Sequence, residues 1–382
     1  MKKVYLDNAA TSALRPEVIT EITNILSEQY GNPSSTHSFG RSAKVVLETS
    51  RKTIAALLNA EPREIIFTSG GTEADNWIIR SAVQHCGVKR IITAKTEHHA
   101  VLYAAQAVAE EYNIAIDYVN VLPDGTPDTE HLHRLLAAKI PTLVTLMHVN
   151  NEIGTSTDLH QIGTICREYD ALFHSDTVQS VGKADLDLTA LPVDFIAASA
   201  HKFHGPKGVG FAYVQKNSRL KAMLYGGEQE KGMRAGTEGV HQIAGMAKAL
   251  ELSYQNREAD KAHITNLRNY LLEQLKLHFP TYKINGTVAG QEHDASTIFY
   301  PIANIQLPLP EDKVPMLLFN LDMKGIAVSR GSACQSGSIK PSHVLQEILS
   351  DEELCKPSLR VSLAYYNTKE EIDLLLSALK NS

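Results

Sequence analysis

Lys202 is the residue whose setting is hardest to explain as structure alone. It ends Ser199-Ala200-His201-Lys202, after the apolar run Val193 to Ala198 and before Phe203-His204-Gly205-Pro206-Lys207-Gly208. A second apolar run, Val209 to Val214, follows. The pattern predicts a buried strand, a Gly/Pro turn and another strand. A bare ammonium at the end of a buried strand must pair with an anion, lose its charge or be used covalently. One reading is an exposed turn lysine. The other is a Schiff-base lysine holding an aldehyde cofactor, with Ser199 and His201 beside it. Cys334 is the second candidate. It sits in Gly331-Ser332-Ala333-Cys334-Gln335-Ser336-Gly337-Ser338, a composition that reads as flexible and exposed. Free cysteines are usually buried, so a thiol there reads as reactive. Cys86, Cys166 and Cys355 lie in helical or apolar patterns and read as inert. Arg360, in the strand pattern Ser358 to Leu363, is either a solvated strand residue or a clamp for a carboxylate.

The elements that must position these groups follow a βα rhythm. Glu64 to Thr68 is a β-rich run; Ser69-Gly70-Gly71 is a turn; a helix then runs through Gln84, with Thr72 and Asp75 expected as its N-cap pair. A strand feeding a Gly turn at a helix N-terminus is a cradle for an anion, though the P-loop ending is absent and an ordinary capped turn has the same pattern. Helices are expected over 16–29, 42–58, 100–112, 129–138 and 159–169. Strands are expected over 90–93, 116–121, 142–148 and 172–176. This alternation predicts an α/β fold with a mostly parallel, doubly wound central sheet flanked by helices. Ligands gather beyond the C-terminal strand ends of such sheets. Glu97-His98, Asn150-Asn151, Asp176 with Gln179, and His201-Lys202 all fall there. Each has a plainer reading: a satisfied histidine, a turn asparagine, a capping aspartate. Their shared location favours one site. A glycine-rich loop over 225–240 is long enough to reach across a site or a subunit boundary. Helical patterns over 241–277 then lead into shorter strands. A large domain is expected over 14–255, with 1–13 and 256–382 forming a smaller α+β domain that carries a mobile cysteine loop near 329–342.

The chain has 382 residues, 43% of them hydrophobic, and a formal net charge of −6. No basic field invites nucleic acid. Four widely spaced cysteines without a CxxC pair argue against a disulfide framework or structural zinc and for a reducing compartment. His98-His99 and His131-His133 lack ligand spacing, so no metal site is expected. The apolar start is stopped at once by Asp7 and Asn8, and no apolar run approaches membrane-spanning length. A soluble cytoplasmic protein is expected.

Taken together, several motifs resemble one family. Ser199 to Gly208, Thr68 to Asn76, Thr96-Glu97-His98, Met147 to Gly154, Arg234-Ala235-Gly236-Thr237 and Gly331-Ser332-Ala333-Cys334 resemble the NifS/IscS-like cysteine desulfurases. These are fold-type-I pyridoxal-phosphate enzymes of the class V aminotransferase group. The likeness covers nearly the whole chain, in order, and the long cysteine loop is similar to that of the NifS/IscS branch. It implies a Schiff base between Lys202 and pyridoxal 5′-phosphate. Asp176 would face the pyridine nitrogen, Gln179 the ring hydroxyl, and His98 the ring itself, serving in proton transfer. Gly71, Thr72, Ser199 and His201 would hold the phosphate. Thr237 would reach it from the neighbouring subunit of a homodimer. Asn151, also at the cofactor, and Arg360 would hold the substrate carboxylate. L-cysteine would yield L-alanine and a persulfide on Cys334, for delivery to an acceptor such as an iron–sulfur scaffold. A selenocysteine lyase or aminotransferase of the same fold, or a non-catalytic scaffold for sulfur acceptors, are the alternatives. Arg330 stands where this branch commonly has serine. Its charge is expected to favour the Cys334 thiolate, which pH-resolved thiol reactivity of Arg330→Ala checks. His174-Ser175-Asp176-Thr177 also departs from the more usual His-Val-Asp-Ala.

Overall fold

The structure, a computed structural model, describes residues 3–287, 297–309, 314–330 and 342–380. In chain order the elements are β1 (Val4–Tyr5), α1 (Pro16–Glu28), α2 (Ser38–Leu57), β2 (Ile65–Thr68), α3 (Gly71–His85), β3 (Arg90–Thr93), α4 (His99–Tyr112), β4 (Ala115–Tyr118), α5 (Thr129–Leu136), β5 (Thr142–Thr145), α6 (Leu159–Glu168), β6 (Leu172–Asp176), β7 (Phe195–Ser199) and β8 (Gly210–Val214). They continue with α7 (Val240–His278), β9 (Lys283–Ile284), β10 (Ile302–Gln306), α8 (Val314–Met323), β11 (Ile326–Ala327), α9 (His343–Gln346), α10 (Asp351–Leu354), β12 (Ser358–Ser362) and α11 (Lys369–Lys380).

Among the described residues the central sheet has seven strands, in the order β2-β8-β7-β6-β5-β3-β4. All run parallel except β8, which is antiparallel to β7 and β2. The inner strands β3, β5, β7 and β8 are buried at every residue, as a sheet covered by helices on both faces requires. Gly210 is dictated by a close approach: a Cβ there would lie 2.2 Å from the Ala198 carbonyl oxygen and 2.8 Å from the Gly70 Cα. β8 can therefore lie directly against the turn that follows β2. A separate three-stranded antiparallel sheet runs β12-β10-β9, and β1 pairs in parallel with β11.

The 39-residue α7 contributes to two hydrophobic clusters. Its first half, Ile243 to Leu250, is buried with α2 and the central sheet. Its second half, Ile264 to Leu275, is buried with β10, β12 and α11.

Three boundaries differ from expectation by three residues or more. α2 begins four residues early, at Ser38, because His37 caps it through Nδ1, which accepts from the Gly40 N–H at 3.3 Å. β4 and β5 end sooner, at Tyr118 and Thr145. Beyond β5, the Met147 N–H donates to the Glu97 carboxylate (2.7 Å) and the His148 N–H to the Asp176 carbonyl (3.0 Å), so that stretch serves the sheet's end. The expected Thr72/Asp75 cap pair is incorrect: Gly70 is the N-cap, no side chain caps α3, and Asp75 is 1% exposed inside the helix.

Candidate active site

The C-terminal ends of β2, β3, β5, β6 and β7 converge on one region. β7 ends at Ser199 and passes into a single 3-10 turn, Ala200–Lys202, which places Lys202 one turn past the sheet. Lys202 Nζ donates to the carbonyls of Ala9 (2.6 Å) and Ala10 (2.9 Å). The exposed-turn reading of this lysine is thereby excluded. The Ala9 carbonyl also accepts from Gln179 Nε2 at 2.9 Å, so Lys202 and Gln179 share one anchor. Gln179 Oε1 is buried without a partner. Three residues before Gln179, Asp176 ends β6; its Oδ1 accepts from the Val178 N–H at 2.8 Å. Burial raises the Asp176 carboxyl to about 6, against the pull of that N–H and of Lys202.

The turn at β2 supplies the second part. The first amides of α3 have no side-chain cap, which leaves them for an anion. A Cβ on Gly71 would lie 2.5 Å from Val178 Cγ2, and Ser199 Oγ lies 3.5 Å from where a Gly70 Cβ would be. The Gly-Gly turn is thus packed between the loop after β6 and the end of β7, and Thr72 follows in the same turn of helix. His201 Nδ1 lies 3.2 Å from Thr11 Oγ1. Burial, then Lys202, Lys207 and Lys183, push this imidazole down to about 4.

His98 is the N-cap of α4, where Nδ1 accepts from the Ala100 N–H at 3.1 Å. Its other nitrogen, Nε2, therefore carries the hydrogen in the neutral ring. Burial, followed by the charge of Lys202, pushes His98 down to about 4, so the ring is neutral at physiological pH.

Arg360 lies on β12 but is 1% exposed, which corrects the solvated reading. It donates to the Asn151 carbonyl and to Asp7 Oδ1, each at 2.8 Å. Asn151 is likewise buried. The backbone of Arg360 pairs with Ser329 (3.2 and 2.6 Å). At the other side of the cysteine segment, Ser342 donates to the Glu152 carboxylate and His343 Nε2 lies 2.9 Å from the Glu97 carbonyl oxygen. Cys334 itself lies outside the described residues. Burial raises the thiols of Cys86 and Cys166, whereas Cys355 is exposed at the end of α10 rather than packed in an apolar pattern.

Thr237 lines a cleft of about 640 Å³ together with Thr68, Ser69 and Arg234. Its loop is held by side chains that have no local signature in the sequence. Glu230 forms a buried two-point ion pair with Arg51 (2.7 and 2.8 Å) and accepts from the Phe67 N–H at 2.8 Å. Arg234 pairs with Glu73 (2.8 and 3.1 Å), whose carboxylate also accepts from the Ser69 N–H.

The donor set suits a phosphorylated pyridine aldehyde. Lys202 offers an amine for the aldehyde, Asp176 a buried carboxyl for a ring nitrogen, and Gln179, which shares the Ala9 carbonyl with Lys202, an unsatisfied amide oxygen. At the uncapped helix start the first amides of α3 are open to an anion, and Gly71 has no room for a Cβ beside Val178.

Comparison with known proteins places the chain in a family. The sequence profile described as aminotransferase class-V matches residues 4–375. A protein of Clostridium botulinum named cysteine desulfurase IscS is 38% identical over 381 residues, covering 99% of this chain and 94% of its own. One of the same name from Pseudoalteromonas translucida is 40% identical over 386 residues, covering 99% and 92%. The crystal structure of a NifS-like protein from Rickettsia africae superposes with a TM-score of 0.86 at 32% identity, covering 100% of this chain and 99% of the other. The chain belongs to the class V aminotransferase family and, within it, to the NifS/IscS-like cysteine desulfurases.

Proposed function

We propose that this chain takes sulfur from L-cysteine through Lys202, His98 and Cys334, with pyridoxal 5′-phosphate bound at Lys202, and releases L-alanine. The observation that carries the assignment of residues is the Ala9 carbonyl, which gathers Lys202 and Gln179 beside the buried carboxyl of Asp176. When bound, the cofactor supplies an electron sink for the pair left at the substrate Cα. The rest is the work of the chain.

Gly71, Thr72, Ser199, His201 and, from a second subunit, Thr237 hold the phosphate. Asp176 and Gln179 fix the ring's orientation. Asn151 and Arg360 hold the substrate carboxylate, with Arg360 fixed by Asp7 and the Asn151 carbonyl. Lys202 takes and returns the Cα proton. His98 presents Nε2–H as a donor while its Nδ1 is engaged by the Ala100 amide. Cys334, as thiolate, forms an S–S bond to the substrate sulfur as the C–S bond breaks. The three-carbon product takes a proton and leaves as L-alanine, and the persulfide on Cys334 passes its outer sulfur to an acceptor such as an iron–sulfur scaffold. Three residues lie between Arg330 and Cys334, so the four steps from one to the other span at most about 14 Å at full extension. With Ser329 paired to Arg360, that reach supports a thiol that visits the substrate and then a partner.

Residues 14–255 act in this reading as the cofactor domain, and 1–13 with 256–382 as the small domain. A second copy would cover the exposed apolar side chains of α1, α2 and their connection: Ile19, Leu26, Tyr30, Phe39 and Val45. No helix among the described residues is long and apolar enough to cross a membrane, and the cytoplasm supplies both cysteine and reducing conditions.

The test is incubation of the cofactor-loaded protein with L-cysteine, reading alanine release and the mass of the Cys334 peptide. Lys202→Ala should lose the absorbance of the covalently held cofactor. Cys334→Ser should keep that absorbance and form no persulfide. Alanine release that survives Cys334→Ser would overturn the role of the thiol and favour another enzyme of the fold. An absence of alanine from the unaltered protein would favour a non-catalytic scaffold.

A further inference from the structure

Beneath Asp176 lie charges that the reaction as derived does not use. Asp75 points from α3 into the sheet, is 1% exposed, and has no hydrogen-bond donor to either carboxyl oxygen. Its Oδ1 lies 3.4 Å from Nε2 of His174, which is wholly buried on β6. The opposite nitrogen of that ring, Nδ1, lies 2.8 Å from Thr145 Oγ1 on β5. Glu97, 1% exposed at the end of β3, spends one oxygen on the Met147 N–H and leaves the other without a partner. Asp75, Glu97 and Asp176 thus occupy one buried region, with His174 as its imidazole and Lys202 as its cation.

Three carboxylates cannot all be ionised in such a space. An ionised Asp75 would be a buried anion without a single donor, among the costliest arrangements a protein interior can hold. Pairing it with a protonated His174 would bury two charges for a single contact at 3.4 Å, which does not offset their desolvation. Asp176 differs: it accepts from the Val178 N–H and lies nearest in charge to Lys202. Burial, then Asp176 and Glu97, push the Asp75 carboxyl well above the usual range. Burial and the charge of Asp176 raise Glu97, against the pull of the Met147 amide. Burial alone pushes His174 down to about 3.

We propose that Asp75 is held as an uncharged carboxylic acid facing His174, so that it adds no negative charge beside Asp176. The proton order is then fixed. The Asp75 O–H points to Nε2 of His174, the ring's own hydrogen sits on Nδ1, and that N–H donates to Thr145 Oγ1. Asp75 then adds no second negative charge to the one that Asp176 presents. Asp75 and His174 are positioning residues: they act through Asp176 and touch neither substrate nor cofactor. This inference rests on the reading of Asp176 as the partner of the pyridine nitrogen, but its first test does not.

The first test is isotope-edited infrared spectroscopy of the full-length protein, the difference taken between protein labelled with ¹³C at aspartate carboxyls only and unlabelled protein, separately for the cofactor-free and cofactor-bound forms. A protonated-carboxyl band should be present at neutral pH in both forms, vanish in Asp75→Asn and shift in His174→Gln, which keeps an acceptor for the O–H. A folded Asp75→Asn protein that retains the whole band, or an unaltered protein without the band, overturns the proposal. The second test is the pH titration of the bound cofactor's absorbance. Asp75→Asn removes no charge if the proposal holds. Its midpoint should therefore stay within about 0.3 pH unit of the unaltered protein, and cofactor affinity within about threefold. A midpoint displaced by more than about one unit means that Asp75 was ionised. If the unaltered protein bound no cofactor, the parent reading would fail while the aspartate band still decided the state of Asp75.

Discussion

The Arg51–Glu230 pair allows a worked prediction. The side chains of both residues are 2% exposed. Glu230 accepts three hydrogen bonds: from Arg51 Nη1 (2.7 Å), Arg51 Nη2 (2.8 Å) and the Phe67 N–H (2.8 Å). In Glu230→Ala the guanidinium would keep only the Ile65 carbonyl (2.8 Å), Glu48 at 3.3 Å on a partly exposed side chain, and the face of Phe67 at 4.4 Å. Stranding a buried charge in this way costs about 3–5 kcal/mol. The Phe67 N–H, left in the interior without an acceptor, adds roughly 1–3 kcal/mol. The two overlap, so the expected loss is about 4–6 kcal/mol. The double variant Arg51→Met/Glu230→Leu removes both charges together and should recover most of the charge contribution, leaving the orphaned amide. The chain has a single tryptophan, Trp77, buried in α3 with its indole N–H on the Lys221 carbonyl, and its fluorescence reports this half of the molecule. Urea unfolding followed at Trp77, extrapolated linearly for the three proteins, gives the differences. The reasoning is refuted if Glu230→Ala loses less than about 1 kcal/mol, or if the double variant is no more stable than the single.

Two further outcomes follow from the site. Arg360→Lys keeps the charge but cannot bond the Asn151 carbonyl and Asp7 together, so KM for L-cysteine should rise about tenfold or more with a smaller change in kcat; an unchanged KM removes Arg360 from substrate binding. Asp176 has a folded pKa of about 6, above its unfolded value, so its ionised form weakens the cofactor-free protein, fully above pH 6 and not at all below pH 4. Cofactor-free Asp176→Asn should accordingly gain up to about 3 kcal/mol at pH 8, a gain that fades as pH falls from 6 to 4; a pH-independent difference contradicts it.

Much of the site was legible because its residues sit where a periodic pattern breaks. The strand Leu172–Asp176 has the limits its apolar run predicts, and Lys202 follows an apolar run that the sheet does bury. Asp75 was misread because a polar residue just past a Gly turn looks the same whether it caps the helix or lies beneath it. Only the approach of His174, 99 residues away, separates the two cases. Arg360 alternates along β12 as a solvated residue would. The usual rule fails because Ser358, Leu359, Arg360, Val361 and Ser362 are all buried, Arg360 and Ser362 against the N-terminal segment and the loop after β5, Ser358 against Asn285. Arg51 and Glu230 are 179 residues apart, and Glu230 stands in left-handed backbone at φ +47° without being glycine. Neither fact leaves a trace in local composition.

The strand Val4–Tyr5 has a consequence for biosynthesis. Its partners are Ile326 and Ala327, and the residues just after it bond to Arg360, Ser362 and Asn367 while lending their carbonyls to Lys202. At ribosomal rates of about 5–20 residues per second, that segment waits roughly 15–65 s for its partners to be made. Until then the segment has only its contacts with the first 255 residues: Gln179 at the Ala9 carbonyl, and the His201 carbonyl and His204 N–H at Ser12. The first residues to leave the ribosome are thus among the last to be fully paired.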